Sequence, residues 1–246
     1  QVPGQPLPDH GKQEYDLDFH GGNYATVHPQ YYKDTALRAE DTRAPDHGAL
    51  DILEAVLPEA KKRGIRTICW AIDKAPPASV PNVAKLQELD LYGRNTDELC
   101  FSNPNYRNFW LGLAEDYVRS YDIDGIMWAS ERRGPLASAL EAKDPGRVGC
   151  FCGYCERKAS AQGIHFHRVQ KGYRELERFL RDSRSGKRPL DGHYVTFWRI
   201  LMRYPEIVAW ETFWNDTLRE TYKTIYDKVK SIKPDVLVGW HIAHSL

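Results

Sequence analysis

Five residues of this chain have the types and spacing that metal binding or acid–base catalysis requires. Cys150, Cys152 and Cys155 form the pattern C-x-C-x2-C, and Cys100 lies upstream of them. Four thiolates that converge in a fold can hold a tetrahedral metal ion. Glu131 directly follows an apolar segment that predicts a β-strand. A carboxylate in that position, partly shielded from water, is suited to general acid–base catalysis.

Two chemistries are compatible with the four clustered cysteines. An oxidising compartment would favour two disulfide bonds, whereas a metal site requires reduced thiols. Cys150 and Cys152 are too close in sequence to pair comfortably with each other. The tight C-x-C-x2-C turn therefore favours a single ion, with zinc as the expected metal and disulfides as the alternative. The fifth cysteine, Cys69, lies in an apolar run and is expected to be a buried core thiol.

The overall composition bounds the class of protein and its partners. Hydrophobic residues make up 41% of the 246 residues, charged residues 28%, and the formal net charge is zero. These values are ordinary for a soluble globular protein and give no argument for nucleic acid or an anionic membrane as a partner. No apolar run approaches the roughly 20 residues that span a bilayer. The aromatic content of 12% is compatible with a carbohydrate-binding cleft.

Strands and helices alternate along most of the sequence. Hydrophobic periodicity and turn signals predict strands at 15–20, 65–72, 123–129 and 235–243 and helices at 48–63, 103–118, 169–182 and 206–232. Such alternation indicates βαβ units with a parallel sheet and right-handed crossovers. We expect residues 1–14 to be a flexible leader and 15–246 one domain, with a Cys-rich loop region at 100–155. A strand so close to the last residue suggests a sequence that is cut short.

The carboxyl ends of parallel strands are where α/β proteins keep their functional residues. Glu131 is the candidate general acid/base at such an end. The candidate substrate contacts at or near strand ends are His20, Asn23, Trp70, Trp128, Arg132 and His241. Four of these residues also have an ordinary structural explanation. Glu131 could form an ion pair with a neighbouring arginine, Trp70 and Trp128 could pack in the core, and His20 could form hydrogen bonds within the fold.

These residues together resemble a known enzyme family. A glutamate that closes a strand, followed by C-x-C-x2-C and preceded by one cysteine before the helix, resembles the zinc-containing β-galactosidases of glycoside hydrolase family 42. Segments 102–107 and 121–128 are also similar to the hypothetical glycosyl hydrolase barrel families. The resemblance spans 16–243. It implies an α/β fold of the (β/α)8 TIM-barrel type, of which this chain would hold an incomplete portion, about strands two to five.

The resemblance also implies roles for individual residues. Glu131 would match the acid/base glutamate at the end of strand four, and Cys100, Cys150, Cys152 and Cys155 would match the zinc ligands. Ser130 stands where the related enzymes have an asparagine that contacts the sugar. The nucleophile of these enzymes lies on strand seven, which we expect beyond the present sequence. The expected function is therefore retaining hydrolysis of a carbohydrate, with the second carboxylate supplied from outside these residues.

Two other functions are compatible with the same residues. A barrel without paired carboxylates would bind carbohydrate and not cleave it. A metal-dependent hydrolase could instead use His20, His241 and His244 with Asp73. An incomplete barrel would expose apolar edges, so self-association into a homo-oligomer is a further expectation. A start at Gln1 is compatible with a removed signal peptide and slightly favours a secreted or periplasmic location, whereas zinc thiolates favour a reducing one.

Overall fold

The computed structural model describes residues 23–43, 48–72, 80–130 and 132–242, with the backbone alone at 39, 41, 72, 241 and 242. Within these ranges lie seven α-helices and five β-strands. The helices are α1 (Ile52–Lys62), α2 (Pro104–Ser120), α3 (Pro135–Glu141), α4 (Gly153–Ser160), α5 (Phe166–Arg184), α6 (Gly192–Arg203) and α7 (Glu206–Ile232). The strands are β1 (Ile68–Ile72), β2 (Gln87–Leu89), β3 (Asn95–Leu99), β4 (Gly125–Ser130) and β5 (Leu237–Ile242).

The strands form two separate sheets. The larger sheet has the order β1-β4-β5, and both of its strand pairs are parallel. Trp128 of β4 is in register with Ala71 of β1 on one side and with Trp240 of β5 on the other. β2 and β3 form an antiparallel pair of their own. All three parallel strands therefore end at one edge of the larger sheet.

The predicted (β/α)8 barrel, or four-strand portion of one, is wrong. Among the described residues, only three parallel strands are joined, and the other two strands form a separate antiparallel pair. The alternation of strands and helices is real, but it does not report how many strands join or whether a sheet closes. The chain between β4 and β5 builds helices and not further strands. The predicted strand at 15–20 lies outside the described residues.

One face of the parallel sheet is covered by α2 and α7. The rings of Trp110 on α2 and Trp128 on β4 meet edge to face, with their centroids 5.4 Å apart. On the next strand, Trp240 stacks on Tyr222 of α7 at 4.5 Å. Cys69 is buried on this face, as the sequence predicts. Burial of large aromatic and aliphatic side chains here supplies much of the hydrophobic stabilisation of the sheet.

The opposite face of the sheet is partly open among the described residues. Ile68 is 53% exposed, Trp70 57% and Leu237 49%, and the first two alternate with the buried Cys69 and Ala71 along β1. Successive side chains of a strand point to opposite faces, so this alternation identifies the second face of β1. Leu237 of β5 lies on the same face, because Ile68 and Leu237 are both in register with Gly125. The two tryptophans proposed as substrate contacts therefore lie in different environments, with Trp128 in the core and Trp70 on the open face.

A second hydrophobic core lies between the helices α4 to α7. It includes Tyr173 and Leu176 of α5, Trp210 and Phe213 of α7, and the four clustered cysteines. α7 belongs to both cores, since its later residues Ile225 and Val229 pack beneath the sheet. Although α7 has 27 residues, neither it nor any other described helix is apolar over enough length to cross a bilayer.

The long helices and the parallel strands were predictable, and the shorter elements were not. The predicted bounds of α7 are confirmed, and α2 begins as predicted. Asn103 is its N-cap, whose side-chain oxygen accepts a hydrogen bond from the Asn105 backbone N–H at 3.1 Å, and Pro104 is its first residue. The segment read as a loop from 73 to 103 contains the hairpin β2–β3. Helices α3, α4 and α6 lie in regions for which no element was predicted.

The two faces of the sheet can be tested with a matched pair of tryptophan variants. Trp128→Ala should lower the free energy of unfolding by about 3–5 kcal/mol, because it leaves a cavity against Trp110. Trp70→Ala removes the same ring from the open face and should cost about 1 kcal/mol or less. Urea unfolding followed by circular dichroism measures both. Equal losses in the two variants would contradict the assignment of the faces.

Candidate metal centre

The four clustered cysteines meet at one point in the structure. Their sulfur atoms all lie within 4.8 Å of one another. The Sγ of Cys100 is 3.6 Å from that of Cys152 and 3.5 Å from that of Cys155. A tetrahedron with Zn–S bonds of about 2.3 Å has sulfur–sulfur edges of about 3.8 Å, whereas a disulfide bond is about 2.05 Å long. The cysteines are free and buried, and the cluster can hold a metal ion.

Three separate features of the chain deliver these sulfurs. Cys100 directly follows β3, and its backbone N–H donates to the Leu86 carbonyl at 2.9 Å. Cys150 and Cys152 lie in the loop before α4, and Cys152 is the N-cap residue of that helix. Cys155 lies in the first turn of α4, where positions i and i+3 face the same side. The C-x2-C spacing therefore places Cys152 and Cys155 together by local geometry alone.

The β2–β3 hairpin holds the cysteine loop in place. The backbone N–H of Phe151 donates to the Leu89 carbonyl at 2.7 Å, and Asp90 forms an isolated antiparallel bridge with Gly149. The Phe151 ring stacks on Trp210 of α7, with an interplanar angle of 8°. The loop that bears Cys150 and Cys152 is thus fixed on one side by main-chain bonds and on the other by aromatic packing.

Burial and mutual hydrogen bonding perturb the thiols strongly. Burial, together with hydrogen bonds that the Cys150 thiol donates to the other three cysteines, raises the pKa of Cys150 well above its usual value. Hydrogen bonds from Cys100, Cys150 and Cys155 lower the pKa of Cys152 far below its usual value. One sulfur of the cluster is therefore stabilised as a thiolate by the other three. Thiolates are the form in which cysteine binds metals.

A buried ion pair lies beside the cysteines. The side chains of Arg132 and Glu88 are only 6% and 7% exposed, and they bond to each other. Arg132 also donates to the Leu99 carbonyl at 2.8 Å and lies over the ring of Phe101, 4.8 Å from its centroid. Burial raises the pKa of Glu88 to about 7, against the opposing effect of the Arg132 charge. Sequence reasoning missed Glu88, because it lies within a segment read as a loop.

Glu131, the predicted acid/base residue, and His20, a predicted substrate contact, fall outside the described residues. Glu131 follows Ser130, the last residue of β4, and His20 precedes the first described position. The other two members of the alternative histidine site, His244 and Asp73, are outside the described ranges as well. His241 is paired in register with Ala129, but its side chain is not described. Their predicted roles stay predictions.

The remaining predicted substrate contacts lie in varied positions. Asn23 is buried, and its side-chain oxygen accepts hydrogen bonds from the Tyr117 hydroxyl at 2.7 Å and the Ala25 N–H at 2.9 Å. Trp128 is 1% exposed and packs in the core. The burial of Arg132 likewise favours an internal role. Trp70 is the candidate whose ring has a large exposed surface.

A serine, a histidine and an aspartate also meet, but not in catalytic geometry. Buried Asp116 accepts hydrogen bonds from His28 Nδ1 at 2.7 Å and from the Ser120 hydroxyl at 2.9 Å. Ser120 also lies 3.2 Å from the same His28 nitrogen. A catalytic triad needs the acid and the nucleophile on different nitrogens of the ring. This group therefore anchors the segment at His28 to α2.

Comparison with known proteins gives no further guide to this site. No family model, no curated protein and no solved structure matches the chain. The interpretation of the site consequently depends on its own geometry.

The packing around the cysteine loop can be tested with two glycine variants. A Cβ at Gly149 would lie 2.6 Å from Glu88 Oε2 and 2.9 Å from Glu88 Cβ, so Gly149→Ala should displace the loop. Overpacking usually costs about 1–3 kcal/mol. If that cost falls on the loop geometry that binds the metal, the metal affinity should fall by about 5- to 150-fold. Gly153→Ala is the control, because its Cβ would meet only the flexible end of Arg157 at 3.3 Å.

Metal affinity of both variants is measured by competition with a chromophoric chelator. Equal affinities for Gly149→Ala and the unmodified protein would show that the loop is not held as tightly as these contacts indicate.

Proposed function

We propose that Cys100, Cys150, Cys152 and Cys155 bind one structural Zn²⁺ ion. The observation that carries this proposal is the convergence of four buried, unpaired sulfurs within 4.8 Å. The distances from the Cys100 sulfur to those of Cys155 and Cys152, 3.5 and 3.6 Å, are near the edge length of a tetrahedral zinc–thiolate site. A set of four sulfur ligands is typical of zinc or of iron, and not of calcium or magnesium.

A zinc ion bound by four cysteines stabilises the fold and takes no direct part in catalysis. Four thiolates fill the tetrahedral coordination of zinc and leave no position for water or substrate. The cluster lies in an apolar core with Val148, Phe151 and Tyr173, where uncompensated thiolates would be costly. A divalent cation would neutralise part of that charge. It would also tie the residue that follows β3 to the loop before α4.

Removal of one ligand should abolish the site. In Cys155→Ser, we expect bound zinc to fall from about one ion per chain to well below that value, since a hydroxyl replaces a thiolate. The melting temperature should fall as well, because metal binding contributes to folding. Elemental analysis and a thermal melt measure the two effects. Cys69→Ser is the matched control, because Cys69 is a buried cysteine outside the cluster. This variant should bind as much zinc as the unmodified protein.

The same experiment separates the alternatives for the cluster. Iron in place of zinc would appear in the elemental analysis and as visible thiolate-to-iron absorption. Disulfide bonds among these cysteines in a peptide mass map would contradict the metal proposal, as would a protein purified without metal that fails to take up zinc.

We further propose that the protein acts on carbohydrate, with Glu131 as the general acid/base. Support comes from its place in the sequence, immediately after the last residue of the central strand β4. Ligands of open α/β sheets bind beyond the carboxyl ends of the strands. On the neighbouring strand β1, Trp70 is 57% exposed, and aromatic rings of this kind are common in carbohydrate-binding clefts. The cysteine pattern and its resemblance to zinc-containing β-galactosidases support the same function.

In a retaining mechanism, Glu131 would protonate the leaving oxygen, and a second carboxylate about 5 Å away would attack the anomeric carbon. The alternative is a protein that binds carbohydrate without cleaving it. The third candidate is a metal-dependent hydrolase that uses His20, His241, His244 and Asp73. It predicts activity that survives in Glu131→Gln, disappears with a chelator and returns with added metal.

The role of Glu131 predicts how activity depends on the leaving group. With unactivated glycosides, Glu131→Gln should lower turnover at least about 100-fold, because protonation of the leaving oxygen is lost. With nitrophenyl glycosides, which need little protonation, the loss should be much smaller. Glu141→Gln is the control, since Glu141 is a nearby exposed carboxylate paired with Arg133. Initial rates with both substrate types measure the difference.

Two results would argue against this assignment. Unchanged turnover of Glu131→Gln on both substrate types would remove Glu131 from the mechanism. Sugar binding by calorimetry, without turnover of any glycoside by the unmodified protein, would favour the non-catalytic alternative.

A further inference from the structure

Arg132 holds a full positive charge almost entirely out of water. Its side chain is 6% exposed, and burial of a charge is costly unless it is paired and hydrogen-bonded. The structure meets that requirement with the Glu88 carboxylate and the Leu99 carbonyl. The guanidinium also lies over two rings, 4.8 Å from the centroid of Phe101 and 5.7 Å from that of Trp214. These contacts restrain the guanidinium from several directions.

Three of these partners adjoin the cysteine cluster. Leu99 and Phe101 are the residues on either side of Cys100. Glu88 precedes Leu89, whose carbonyl accepts the hydrogen bond from Phe151 within the cysteine loop. Glu88 also packs directly against Gly149, the residue before Cys150. The surroundings of Arg132 are therefore built from the same segments that carry the sulfur ligands.

The backbone of Arg132 belongs to a different part of the fold. It lies two residues after Ser130, the end of β4. β4 is the central strand of the parallel sheet, paired on both sides. The side chain of Arg132 therefore reaches from the carboxyl end of this strand into the segments that hold the cysteines. The neighbouring arginine, Arg133, instead pairs with Glu141 of α3 and is 31% exposed.

We propose that Arg132 couples metal binding at the four cysteines to the positioning of the carboxyl end of β4. This inference rests on the zinc site proposed above. A metal ion fixes Cys100 relative to Cys150, Cys152 and Cys155, and thereby fixes the groups that surround the guanidinium. Coupling between two sites is reciprocal, so loss of the Arg132 side chain must weaken metal binding as well. Arg132 is in this sense a positioning residue.

The first measurement is zinc affinity, determined by competition with a chromophoric chelator. Arg132→Met keeps much of the apolar stem and removes the charge and the hydrogen bonds. It should bind zinc at least about tenfold more weakly than the unmodified protein, within the usual range of coupling between sites. Arg133→Met is the matched control and should bind zinc with unchanged affinity.

The second measurement is amide hydrogen exchange over 126–130, with zinc bound and after chelation. In the unmodified protein and in Arg133→Met, zinc should slow exchange at the end of β4. In Arg132→Met, exchange there should be equally fast with and without zinc. If Arg132→Met does not fold, Arg132→Lys replaces it, because lysine keeps the charge but lacks the planar fork that bonds Glu88 and Leu99 together.

The outcomes distinguish this inference from the zinc proposal. If the unmodified protein binds no zinc, both proposals fail. If it binds zinc, and the Arg132 variant shows the same affinity and the same zinc-dependent protection of β4, the zinc site stands and the coupling is overturned. Weaker binding together with loss of zinc-dependent protection supports the coupling.

Discussion

The strictest geometric requirement in this protein is that four buried sulfur atoms lie within 4.8 Å of one another. They come from the residue after a hairpin strand, from a loop and from the first turn of a helix, and no backbone ladder joins all three. Their separation allows one ion to contact all of them, and apolar side chains exclude water from the group. The hairpin, the loop and α4 must therefore be placed correctly relative to one another before the centre exists.

The sequence predicted those features that local chemistry determines. The start of α2 and the uninterrupted α7 both follow from residues close together in the chain. The sequence also predicted that Cys100 meets the other three cysteines, because a tetrahedral metal site needs four ligands, and the structure confirms this. The barrel was a wrong prediction, since strand count and closure depend on contacts between distant residues that periodicity does not report.

Other features depend on tertiary structure in a way that residue type cannot show. Trp70 and Trp128 follow apolar residues on neighbouring strands, yet one is mostly exposed and the other is buried, because they lie on opposite faces of one sheet. Arg132 was expected to contact substrate as a charged residue at a strand end. Its burial results from Glu88, a residue that sequence patterns gave no reason to select. A polar hairpin residue of this kind is recognised only when its partner is known.

The length of α7 affects how the protein unfolds. An α-helix of 27 residues is about 40 Å long, and here Trp210 and Phe213 near its start pack in the core around the cysteines while Ile225 and Val229 near its end pack under the sheet. Neither core can unfold without exposing apolar residues of α7. The two cores are therefore expected to unfold in a single cooperative transition. A destabilising change in one core should then lower the stability of the other.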